Sequence, residues 1–164
     1  MEKLLLRKYL LYSLIIFFTG CGYKFIHQRE KRIYIEPISN YTFQPQMEIY
    51  LNESLRDTIT SYPGFSLVNS KKAADYSLKI KLLKLEREPL CFSREKANEI
   101  VNARFNIKFD VFLKKEGEVI SHRRFSETLS FPLTRTFEEE KVLQKLSQEI
   151  ALKIYFWLVE ENEK

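Results

Sequence analysis

Glycine is scarce, with four in 164 residues. That leaves hardly the material for a glycine-rich loop that cradles phosphate. Histidine is scarcer: His27 and His122 stand apart, without ligand-type spacing, and read as surface residues rather than metal ligands. There are two cysteines, Cys21 and Cys91. Long apolar runs are missing too. A helix crossing hydrocarbon needs about 20 apolar residues at about 1.5 Å each, whereas the uncharged run at 9–23 has 15 positions and ends in Thr-Gly-Cys-Gly. No Ser/His/Asp or Cys/His set stands out, and Cys91 has no persuasive base nearby. Active sites assemble from distant residues, so these absences do not exclude an enzyme. They move the reading towards binding or assembly.

What is present begins at the N-terminus. Lys3, Arg7 and Lys8 precede an apolar run, residues 9–18, and then Thr19, Gly20 and Cys21 follow. A basic head, a short apolar middle and small residues make a secretory signal with a cleavage point. A cysteine directly after the small pair reads as a bacterial lipobox, in which the thiol is lipidated and the chain is cut ahead of it. Phe18 departs from the usual leucine three positions before the cysteine. The rival is an uncleaved anchor, for which the run is short. With processing, residues 1–20 are a lipoprotein signal peptide, and residues 21–32 are a lipid-anchored tether. Residues 33–160 form one α+β domain, and residues 161–164 are a frayed polar end. No cofactor is expected beyond the N-acyl and S-diacylglycerol lipid on Cys21. At about 0.8 kcal/mol per buried methylene, three acyl chains hold a domain essentially permanently.

The leader carries three of the 27 basic residues and one of the 22 acidic ones, so the mature chain has 24 against 21. That is only mildly basic and, together with export, argues against nucleic acid. If Cys21 carries lipid, Cys91 has no partner within the chain; burial as a small hydrophobe is expected, with pairing to another chain as the alternative.

Along the chain, residues 33–38 read as a short β-branched strand ended by Pro37, and Ser39 to Thr42 as a turn. Pro45 suits a helix start, and Met47, Leu51, Leu55, Ile59 and Tyr62 line one helical face. Residues 65–69 form a short strand. In 76–88, Leu78, Ile80 and Leu82 alternate with lysines until the period slips at Leu82-Leu83, which predicts a bulge. Residues 89–98 read as a loop. Residues 101–112 alternate cleanly, residues 115–118 form a hairpin turn through Gly117, and residues 119–131 return as partner strand. A last helix starts near Thr136 with a Thr136/Glu139 capping box, and Leu143, Leu146, Ile150, Ile154, Trp157 and Leu158 make its apolar stripe. The stripe reads as core, with a partner's helix groove as the alternative. The fold class is α+β: a two-layer sandwich with two α-helices on one face of a mainly antiparallel sheet of four to five strands.

If the three long strands form a meander, the loops after 88 and after 131 share one end, where Arg87, Arg94, Lys96 and Arg135 can converge. Such a basic tip suits multivalent phosphate or carboxylate groups. An ordinary solvated loop end is the plainer reading.

The order of these pieces resembles a known family. A lipobox runs into Cys21-Gly22-Tyr23, followed by Ile35-Glu36-Pro37-Ile38-Ser39-Asn40-Tyr41-Thr42-Phe43. The amphipathic helix, the Ala73-Ala74-Asp75 connector and Arg87-Glu88-Pro89-Leu90 come next. Over nearly the whole chain this resembles the LPS-assembly lipoprotein family, LptE. The resemblance implies a non-enzymatic lipoprotein of the cell outer membrane, acylated at Cys21, with its domain on the periplasmic side or inside a barrel lumen. It implies a plug that assists assembly of an LptD-like β-barrel and binds lipopolysaccharide on its way to the outer leaflet. The absence of aspartate after Cys21 is compatible with outer-membrane sorting. The basic tip residues are not part of the matching motifs. The alternatives are a lipid-anchored module docking on another envelope machine, without lipopolysaccharide binding, and a lipid-anchored hydrolase, which would need an apolar pocket with converged titratable groups.

Overall fold

A computed structural model describes residues 30–92, 100–133 and 138–163. Its elements are β1 (Lys31–Ile35), β2 (Ser39–Asn40), α1 (Met47–Ser61), β3 (Phe65–Leu67), β4 (Tyr76–Phe92), β5 (Ile100–Lys115), β6 (Glu118–Pro132) and α2 (Glu139–Asn162). The sheet runs β3-β1-β4-β5-β6, with β2 also beside β4. β4, β5 and β6 are antiparallel neighbours. β1 pairs parallel with β3 and with β4, and β2 parallel with β4. The two-layer α+β architecture is therefore as expected, on a mixed sheet with six strands. The parallel part follows from connectivity: α1 lies between β1 and β3, and a helical crossover returns the chain in the same direction.

The core is one cluster on a single face of the sheet. Ala103, Phe105, Ile107, Phe109, Val111 and Leu113 alternate inward along β5. They meet Leu78, Ile80 and Leu82 of β4, and Phe125 and Phe131 of β6. Met47, Leu51, Leu55 and Ile59 of α1 and all six residues of the α2 stripe close over them. Each such side chain contributes about 1.5–3 kcal/mol on burial. The apolar stripe of α2 is therefore core, while Phe156, off that stripe, is exposed. Tyr62, the last of the α1 series, lies 43% exposed and packs at a tilt against Tyr155, 5.1 Å between ring centroids.

The predicted slip in β4 is present as a register break between Leu82 and Lys84. The hairpin turn places both Glu116 (φ 52°) and Gly117 (φ 93°) in the left-handed region, as a two-residue turn matched to strand twist requires. Ser39 and Asn40 pair with Lys81 and Leu82 and also build the turn that follows. There the Asn40 Oδ1 accepts from the Thr42 N–H at 2.9 Å, and its Nδ2 donates to the Gln44 carbonyl at 2.9 Å.

Several boundaries differ from expectation. β1 spans Lys31–Ile35 rather than 33–38, so it takes in the last two residues of the expected tether, and β3 stops at Leu67. Pro45 is not the first helical residue: Gln46, at φ 67°, precedes the start at Met47. Residues 89–92 are strand, not loop. Past Leu82 no strand among the described residues lies on the other side of β4, and an edge tolerates a proline where a central strand would not. α2 starts at Glu139 with Glu138 as its cap residue, so Glu139 does not close a capping box; Thr136 lies outside the described residues. At the other end α2 continues to Asn162, past the point where fraying was expected. Cys91, expected buried, is exposed. It sits on the extension of β4, opposite Asn102, whose Nδ2 lies 3.2 Å from its Sγ.

Candidate functional site

The three long strands, of 17, 16 and 15 residues, are longer than the 13 or so suggested by periodicity. Their registers pair Phe92 with Ile100 and Asn102 with Pro132, so the far ends of β4, β5 and β6 coincide. The shared tip predicted from the meander is thus real. β1 enters at the opposite end, where Ile33 pairs with Tyr76 at the start of β4. At about 3.3 Å per residue, the 17 residues of β4 put roughly 50 Å between the two ends.

Of the basic residues proposed for the tip, Arg87 lies within the described structure. Arg94, Lys96 and Arg135 lie outside the described residues, as does the lipidation candidate Cys21. Arg87 stands on the core side of β4, opposite Phe105. Its guanidinium lies 5.8 Å over the Phe131 ring, and that ring packs on Phe105 at 4.8 Å. Its Nη1 is 3.7 Å from a carboxylate oxygen of Glu139, in the first turn of α2. Arg87 therefore fastens the start of α2 to the sheet, while remaining 43% exposed at the side chain.

Beyond Arg87 the ribbon is amphipathic. Arg104 and Glu88 pair across β4 and β5 at 2.8 Å, and the Arg104 hydrogen bond holds the Glu88 carboxyl below its usual range. Leu90, Phe92 and Ile100, by contrast, expose apolar side chains to solvent. These three were missed because Pro89 reads as a strand breaker. The signal for them was Leu90 and Phe92 in alternation with Cys91. An end with apolar side chains beside charged ones can meet an amphiphile.

Two ion clusters stiffen the sheet elsewhere. Glu36, just after β1, accepts from Lys114 at 3.0 Å and from Lys71 at 3.1 Å, with Ser77 Oγ at 3.3 Å. Burial pushes the Glu36 carboxyl upward, but the two lysines outweigh it and the net shift is downward. Asp110 is fixed by Arg124, whose hydrogen bonding dominates over burial and holds that carboxyl low. His122, expected as an isolated surface residue, is exposed but engaged: it stacks on Phe112 at 4.4 Å and lies 3.5 Å from Asp110. His27 lies outside the described residues.

Among the described residues no group of three or more His, Cys, Asp or Glu side chains is placed to hold a metal ion. None of the described helices is long and apolar enough to cross a membrane. The hollow beside the hairpin, about 530 Å³, is open and lined by Lys71, Lys72, Asp75 and Lys114 among others. Its Lys71 and Lys114 are the two lysines bound to Glu36.

No family model matches the chain, and no curated protein does. Solved structures do match. Protein XCC0632 from Xanthomonas campestris, of family DUF330, superposes with a TM-score of 0.59 at 12% identity, over 83% of this chain and 87% of that one. The rare lipoprotein B of Shewanella oneidensis gives 0.56 at 10% identity, over 80% and 96%. A minor lipoprotein from Acinetobacter baumannii gives 0.53 at 12% identity, over 80% and 94%. At such identities the likeness concerns the fold: this chain shares the architecture of these proteins, two of which are named lipoproteins.

Proposed function

We propose that this chain is an outer-membrane lipoprotein of the LptE type, anchored through lipid on Cys21, which plugs an LptD-like β-barrel, assists its assembly and binds lipopolysaccharide in transit. It works by occupying a lumen and offering an amphipathic tip, not by catalysis. The observation that carries the reading is the length of the ribbon. Its tip, with Leu90, Phe92 and Arg104, stands roughly 50 Å from the end where β1 enters. The apolar band of an outer-membrane barrel is about 25 Å tall. A domain tethered at the inner leaflet therefore has the reach to present its tip at the outer leaflet. The two-layer fold shared with lipoproteins, and the motif order from Cys21 to Leu90, support the same reading.

Affinity purification of the full-length chain from outer membranes tests it. The expected result is a large β-barrel protein in one-to-one ratio with bound glycolipid. Recovery with components of another envelope machine, and no barrel, would replace this reading by the docking-module alternative.

A further inference from the structure

The two layers differ in charge. The strands β4, β5 and β6 carry ten basic and five acidic residues, whereas α1 and α2 carry four basic and eight acidic ones. Much of the positive excess lies on the sheet face turned away from the helices. There each acidic side chain has its own partner: Glu86 with Lys84, Glu88 with Arg104, and Asp110 with Arg124. Lys79, Lys81 and Lys108 are left over, and none of them makes an ion pair among the described residues.

Their arrangement is costly for a face that meets only water. Lys108 lies directly opposite Lys84 across the β4–β5 pair, and like charges in that position repel. Lys79 lies opposite Phe112, and Lys81 is held 5.4 Å over the Phe112 ring, which His122 covers from the β6 side. The result is a flat aromatic step bordered by lysines, on strands that fix its geometry. Electrostatic complementarity of this kind sets orientation and suppresses wrong partners.

We infer that the helix-free sheet face, centred on Lys79, Lys81 and Lys108 around Phe112, docks against an acidic surface of a protein partner. The inference rests on the proposed function, and it assigns this face to an acidic stretch of the lumen wall of the barrel. Barrel interiors are polar, so carboxylates there have aqueous surroundings until the plug arrives. The helical layer, with its opposite charge, faces elsewhere.

The test uses the full-length chain, tagged and extracted from outer membranes in complex. Lys79→Glu/Lys81→Glu/Lys108→Glu should lower barrel recovery about tenfold or more relative to wild type. Lys79→Gln/Lys81→Gln/Lys108→Gln should fall between them, and wild-type recovery should drop as salt is raised. Unchanged emission from the buried Trp157 checks that each variant is folded. Equal barrel recovery by the glutamate variant overturns the inference and leaves the plug reading standing. So does a variant that keeps the barrel but loses purified lipopolysaccharide, which would make the face a glycolipid site. A wild-type chain that self-associates through this face, with the variant monomeric, also overturns it. If the wild type recovers no barrel, the inference falls together with the reading beneath it.

Discussion

Arg124 on β6 grips Asp110 on β5 with two hydrogen bonds, Nε at 2.8 Å and Nη2 at 3.0 Å from the two carboxylate oxygens. The two residues face each other directly across the strand pair. Asp110 is 6% exposed although it belongs to the wet side of an alternating strand. The guanidinium is what makes that burial tolerable, because a planar fork matches a carboxylate.

Acid should loosen this domain before neutral conditions do. Asp110 and Glu36 both have carboxyl groups depressed in the folded state. For a depressed carboxylate, the stabilisation is fully present above the unfolded value and is lost as pH falls through the folded one. The melting temperature should hold from neutral pH down to about 5 and then decline below about 4.5. Asp110→Asn should flatten that decline and cost about 1 kcal/mol at neutral pH, the modest figure reflecting an Arg124 that is largely exposed. Melts of both proteins across pH measure it; parallel curves would contradict it.

Trp157 is the one tryptophan. It is buried against Phe125, and its indole Nε1 has no hydrogen-bond partner among the described residues. Leaving such a donor dry costs about 1–3 kcal/mol, which offsets part of the ring's packing gain. Trp157→Phe should therefore stay within about 1 kcal/mol of wild type, whereas Trp157→Ala should cost about 3–5 kcal/mol. Denaturant unfolding followed by circular dichroism separates the two.

The turn residue Glu116 sits at φ 52°, a conformation that asparagine adopts more readily. Glu116→Asn should stabilise the hairpin by a few tenths of a kcal/mol. Gly117→Ala, at φ 93°, should destabilise it by about 1 kcal/mol or more, though a Cβ there meets open space. The cost is in the backbone, so thermal melts should move in opposite directions for the two substitutions.

Loss of Arg87 should be felt in α2. With the contacts to Glu139 and Phe131 gone, Arg87→Ala should speed amide exchange over the first turn of that helix and leave the hairpin at Gly117 unchanged. Exchange measured by mass spectrometry distinguishes this from a general loss of stability.

Periodicity made the meander legible. Ala103 to Val111 carry a strict alternation, and the bulge at Leu82 shows as a slip of one residue. Both helical stripes are equally plain, since Leu51, Leu55, Leu146 and Ile150 recur at helical spacing and are all fully buried. The sheet order was not legible. β1 and β3 are too short for a pattern, and their parallel pairing is set by the crossover through α1. The tip was half legible: the meander brings the ends of β4, β5 and β6 together, but Arg87 stands five residues short of the end of β4 on its core side, and its engagement with Glu139 depends on where α2 begins. The charge on the helix-free face was equally hidden, because Lys84 meets Lys108 only once the register across two strands is known.

The proposed plug is a domain held by lipid at one end and lodged in a barrel along its length. Native mass spectrometry of the complex extracted from outer membranes tests both together. The predicted species is one chain beginning at Cys21, heavier by a diacylglycerol and one further acyl group, bound to a single β-barrel protein. A chain still carrying residues 1–20, or one that begins at Cys21 without lipid and flies alone, would contradict it.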